Sequence, residues 1–133
     1  MFSIIIPTFN NLDYLKVCID SIKKNSEYNH EIIVHVNDGS DGTLDYLKLN
    51  KIKHTHSNMN IGLCTSLNLA AKKTSTKYLL YSHDDMYFCP GWDIFLSKEL
   101  KNIKHDLFYF SGTMIEPFKG AHLTFDCGRS IDT

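Results

Sequence analysis

No stretch of the sequence approaches the roughly 18 to 20 consecutive apolar residues that a membrane-spanning helix needs. The apolar start, residues 2–6, runs straight into Pro7 and has no basic flank, which argues against a signal peptide. Runs of one charge sign are also missing: 14 Lys and Arg stand against 15 Asp and Glu, a formal net charge of −1. A chain so balanced lacks the basic footprint that a phosphate backbone demands, so nucleic acid is not an expected partner. The four cysteines, Cys18, Cys64, Cys89 and Cys127, form no C-x-x-C pair and are expected to be reduced thiols. With no targeting segment, the expected compartment is the cytoplasm. No repeat, linker or low-complexity segment divides residues 1–133, so one domain is expected.

What is present suits a soluble domain with a core: 133 residues, 43% apolar and 22% charged. Residues 2–6 form a short β-branched run stopped by Pro7, the pattern of a buried strand. Asn10 or Asn11 is placed to cap a helix in which Leu12, Leu15, Ile19 and Ile22 share a face. Residues 31–36 form a second strand, ended by a turn-rich run over 37–42, with a short helix over 43–49 behind it. Residues 51–56 suit a third strand, and 63–73 a helix with Leu63, Leu67 and Ala70 or Ala71 inward. A fourth strand over 77–82 ends on His83, Asp84 and Asp85. The helix after Pro90 should bury Trp92, Phe95, Leu96 and Leu100, and a fifth strand is expected over 106–112.

Strands alternating with helices predict an α/β fold, a mainly parallel sheet covered on both faces. Ligands of such sheets gather at the carboxyl ends of the strands. Thr8, Asp38, Asp84 and Asp85 all fall at such ends. Adjacent carboxylates at a buried strand end repel each other and lose hydration, and a divalent cation relieves both costs. Oxygen ligands suit Mg²⁺ or Mn²⁺, commonly completed by substrate phosphates. An acidic turn that caps the next helix is the plainer alternative. After the second strand, the turn from Asn37 to Thr43 offers the Asp38 carboxylate to a base N–H, and its glycines allow close backbone approach. The same turn also satisfies ordinary turn chemistry. His54 and His56 share a strand face but lack a third ligand for zinc.

The segments IIIPTFN (4–10), NDGS (37–40), NIG (60–62) with Asn68, and the acids Asp84 and Asp85 come in an order that closely resembles family-2 glycosyltransferases. The resemblance spans residues 2 to 118. It implies the GT-A fold, a Rossmann-like sheet whose D-x-D motif holds a Mg²⁺ or Mn²⁺ ion on the diphosphate of a nucleoside-diphosphate sugar. It implies that Asp85 binds the metal and that Asp84 lies near the ribose and diphosphate. Asp38 would read the base, while Pro7, Thr8 and Phe9 would flank the nucleotide and Asn60, Gly62 and Asn68 complete the substrate site. Four positions depart from the pattern. His83 replaces the first Asp of D-x-D, Asn37 stands where a second acid is common, Phe9 stands where Tyr is common, and Leu67 precedes Asn68 where many members have Arg.

The reaction implied is transfer of a hexosyl group to an acceptor hydroxyl, metal-dependent and inverting, with a glycan or lipid-linked acceptor that the sequence does not specify. Such transfer needs a general base near the acceptor, and the family's base lies well downstream of D-x-D. Glu116 is the better local candidate and Asp126 the other. The expectation is therefore a chain without the acceptor half, exposing an edge for self-association. A non-catalytic module that only binds the sugar nucleotide is the alternative. A nucleotidyltransferase would need a Gly-rich loop where PTFNN stands.

Overall fold

The computed structural model describes residues 1–112. Residues 1–102 form one compact unit, and residues 103–112 belong to a second. Eight elements follow in order: β1 (Phe2–Phe9), α1 (Leu12–Asn25), β2 (Glu31–Asn37), α2 (Thr43–Leu49), β3 (Lys53–Ser57), α3 (Leu63–Ala71), β4 (Tyr78–Tyr81) and α4 (Trp92–Asn102). The strands form one parallel sheet in the order β3-β2-β1-β4. The expected doubly covered parallel sheet is thus observed.

Alternation along the strands assigns the two faces. Phe2, Ile4 and Ile6 of β1 join Val34 and Val36 of β2 under Leu15, Cys18, Ile19 and Ile22 of α1, with Trp92, Leu96 and Leu100 of α4 against the same cluster. On the opposite face, Ile5 and Ile33 pack with Ala70, Leu67 and Ala71 of α3. Register then sets the carboxyl edge. β1 stays paired to β2 through Phe9↔Asn37, but its pairing to β4 stops at Ile5↔Tyr81. The chain after β4 therefore leaves the ladder while β1 runs on, which brings Asp84 beside Thr8.

Four expectations need correction. Leu63 and Phe95 are 46% and 72% exposed rather than inward, because the apolar stripes of α3 and α4 are narrower than the expected ones. Residues 106–112 are not in a strand, and Leu107 and Tyr109 are 90% and 88% exposed, so the local apolar pattern alone did not make one. The side chain of Asn11 makes no capping bond to α1. Asp41 caps it instead, accepting from Leu12 N–H at 3.0 Å, while its other oxygen accepts from the amide and hydroxyl of Thr43 at the start of α2. One carboxylate thus caps two helices. Burial would raise its pKa, yet the bonds from Thr43 and Leu12 outweigh burial and hold it below the ordinary value.

A second acid, the fully buried Asp93, anchors α4. It accepts from the Glu27 and Tyr28 amides at 3.1 and 2.9 Å and meets His30 Nε2 at 2.8 Å. Phe2 N–H donates to His30 Nδ1 at 3.2 Å, so Nδ1 is the bare nitrogen and Nε2 carries the proton given to Asp93. The pair is therefore a carboxylate with a neutral imidazole.

Candidate active site

An open cleft of about 360 Å³ lies at the carboxyl edge of the sheet, lined by the end of β1, the loop from Asn60 into α3, and His83 and Asp84 after β4. Of the residues expected in a site, Pro7, Thr8, Phe9, Asn60, Gly62 and Asp84 line it. Asp38, Asn68 and Asp85 do not. Asp85 follows Asp84 on the exposed side of the turn, and Asn68 is exposed on α3. Asp38 is reached through its neighbours, since Asn10 lines the cleft and hydrogen-bonds to it.

Thr8 is buried, and its hydroxyl donates to Asp84 Oδ2 at 2.6 Å. That bond holds one carboxylate oxygen and fixes the direction of the other. Beneath the pair, Cys18 lies with its Sγ 3.6 Å from the His83 carbonyl. Burial, reinforced by the charges of Asp84 and Asp85, pushes this thiol up to about 11 against the opposing bond to Ser82, so it stays protonated. Tyr81 is raised as well, by burial and then by the same two acids, and its hydroxyl lies 2.9 Å from His83 Nε2.

The donor set can be weighed against a divalent cation. Asp84 keeps one oxygen outside the Thr8 bond, and Asp85 is exposed. Among the described residues no third His, Cys, Asp or Glu completes a ligand group with them. A pair of carboxylates with open positions suits Mg²⁺ or Mn²⁺ carrying water and phosphate oxygens, and does not suit a closed protein cage such as structural zinc.

Asn37, expected only as a missing acid, organises the cleft floor. It is 4% exposed, and its amide donates to the Thr8 carbonyl at 3.3 Å and to Ser66 Oγ at 3.1 Å. Its oxygen accepts from Ile61 N–H at 2.9 Å and, at longer range, from Ser57 and Ser66. The ends of β1 and β3 and the entry to α3 therefore converge on one side chain that a carboxylate could not replace, for lack of donors. Asn60 accepts from Gly62 N–H at 3.0 Å, and Gly62 takes a φ of +80°. A Cβ there would meet nothing within 4 Å, so the glycine serves backbone conformation, not close packing. Among the described residues no side chain caps α3, whose first residue, Leu63, lines the cleft.

Residues 3–119 match the family Glycosyl transferase family 2. The chain belongs to glycosyl transferase family 2. Its matches among known proteins include an uncharacterised glycosyltransferase of Rickettsia bellii, 38% identical over 94 residues, and one of Rickettsia prowazekii, 38% identical over 92 residues. Each match takes in 66% of the chain, but only 13% and 28% of those relatives' own lengths. Solved structures share the fold. Staphylococcus aureus TarS 1–349 in complex with UDP is similar over 76% of this chain and 32% of that one, with TM-score 0.67 and 22% identity. The mannosyltransferase PcManGT of Pyrobaculum calidifontis, in complex with GDP-Man and Mn²⁺, is similar over 65% and 28%, with TM-score 0.60 and 18% identity.

The family-2 fold accordingly matches the GT-A expectation. Glu116 and Asp126, the candidate bases, lie outside the described residues, as does Cys127. Among the described residues no helix is long and apolar enough to cross a membrane. Asn10, Asn37 and Leu63 were not expected to take part in a site. For Asn37 the available signal was its position as the last residue of a buried strand, where a polar side chain must find partners.

Proposed function

We propose that the cleft binds a nucleoside-diphosphate sugar together with a divalent cation, as the donor site of a transferase that moves the sugar to an acceptor hydroxyl with inversion. The observation that carries this reading is the meeting, at one sheet edge, of Asp84 aimed by Thr8, Asp38 at the next strand end, and the uncapped start of α3. Asp38 offers a carboxylate to a base N–H, and Phe9, 50% exposed at the cleft, offers a ring face for stacking. The free amides at the start of α3 suit phosphate oxygens, which makes up in part for the missing Arg before Asn68. Asp85, with Asp84, would hold Mg²⁺ or Mn²⁺, and that ion would supply charge neutralisation to the departing diphosphate. The fold neighbours with UDP, or with GDP-Man and Mn²⁺, support the same ligand class.

Calorimetry against UDP-, GDP- and dTDP-sugars, with and without Mn²⁺, tests the proposal. One of the three should bind with an affinity that falls when EDTA is added. Binding of none, or binding indifferent to EDTA, refutes the donor-site reading.

A further inference from the structure

Asn10 follows β1 in the left-handed region, at φ +47°, a conformation that asparagine tolerates better than most residues. That backbone turns its side chain across to the loop after β2, where all of its polar atoms are used. Its oxygen accepts from Gly39 N–H at 3.0 Å, and its amide donates to Asp38 Oδ2 at 2.9 Å and to Ser40 Oγ at 3.3 Å. Ser40 in turn donates to the same Asp38 oxygen at 3.2 Å. Asp38 is itself left-handed, at φ +62°, and its carbonyl meets His56 Nε2 at 2.8 Å. Gly39 sits at φ +83°, where an added Cβ would come within 2.8 Å of Val36, so this turn requires glycine.

We infer that Asn10 is a positioning residue for nucleotide recognition: with Ser40 it holds Oδ2 of Asp38, so that the other oxygen is the one presented to the base. The inference rests on the donor-site reading above and adds to it the residue that orients the base acceptor. Two donors on one oxygen fix the carboxylate plane, and a fixed acceptor discriminates among base edges where a rotating one does not. Asn10 acts through Asp38 and not on the diphosphate, so its effect should be confined to ligands that carry a base.

The test is calorimetry with Mn²⁺ on wild type, Asn10→Ala, Asn10→Asp, Asp38→Asn and the double variant Asn10→Ala with Asp38→Asn. The probes are UDP, GDP, dTDP and inorganic pyrophosphate. Asn10→Asp keeps the acceptor for Gly39 and the side-chain size while losing the donor, so it serves if Asn10→Ala unfolds. Either Asn10 variant should weaken the best-bound nucleotide roughly 10-fold, the scale of one hydrogen bond to a charged group, and leave pyrophosphate unchanged. The double variant should bind no worse than Asp38→Asn alone. Additive losses, an equal loss for pyrophosphate, or no loss would overturn the positioning role. Failure of wild type to bind any of the nucleotides would overturn the donor-site reading and this inference with it.

Discussion

Asp84 and Asp85 are adjacent in sequence but not equivalent. Thr8 holds Asp84 from within the fold, whereas Asp85 stands on the exposed side of the same turn. If Asp85 is the metal ligand, Asp85→Ala should abolish the EDTA-sensitive part of nucleotide binding while the thermal midpoint stays within a few degrees of wild type. A variant that keeps EDTA-sensitive binding would move the metal role to Asp84 alone. Thr8→Val makes the complementary case. Valine keeps the shape and suits a buried strand, so the fold should lose about 1 kcal/mol or less, but Asp84 loses its fixed direction. Apparent Mn²⁺ affinity in the presence of nucleotide, followed by calorimetry, should fall by roughly 3- to 10-fold, within the range seen when a partner behind a ligand is removed. Unchanged Mn²⁺ affinity would mean that Thr8 is no more than core.

Elements were legible wherever the local pattern alone decided them. The β-branched runs of β1 and β2 and the i, i+3, i+7 stripe of α1 need nothing beyond local pattern, and they stand close to where the pattern put them. What escaped depends on partners far away in the chain. Asp93 passes for an ordinary first-turn acid of α4, favourable to the helix dipole. Its actual partners, Glu27, Tyr28 and His30, lie 63 to 66 residues earlier. The cap of α1 comes from Asp41, 29 residues on, and not from the asparagines beside it. In the site, strand ends and acids could be read, but Asn37 and Asn10 act through hydrogen bonds across the sheet edge that no spacing reveals. The anchoring role of Asp93 is testable. Asp93→Ala leaves two part-buried amides and the His30 N–H without their acceptor, which should cost about 1 to 3 kcal/mol. Denaturant unfolding monitored by Trp92 fluorescence measures it, and a loss below about 1 kcal/mol would show that α4 is held by its apolar face alone.

At the scale of the whole molecule, ionised carboxylates staple both ends of the sheet. Glu31 binds Lys53, Ser3 and Ser75 at the amino end, Asp93 holds α4 to the β2 approach, and Asp41 caps two helices near the cleft. Burial would raise the Glu31 carboxyl, but the bonds from Lys53, Ser3 and Ser75 outweigh it and bring the value from 4.5 down to about 2. Asp41 and Asp93 are lowered too, against burial, by the hydrogen bonds they accept. A carboxyl depressed on folding adds stability that is fully present above its unfolded value and is lost as pH falls through its folded value. All three therefore act in one direction, and for Glu31 the window runs from 4.5 down to about 2. The expected result is an unfolding free energy, from urea titrations at fixed ionic strength, that declines steadily as pH drops below about 4.5, the unfolded carboxyl range. Glu31→Gln should lose about 1 to 3 kcal/mol at pH 7, the cost of removing the charge from these bonds, and should show a shallower acid decline than wild type. The two curves must then converge toward pH 2. Curves that stay parallel across that range would place the acid sensitivity elsewhere, with Asp41 and Asp93 the next pair to substitute.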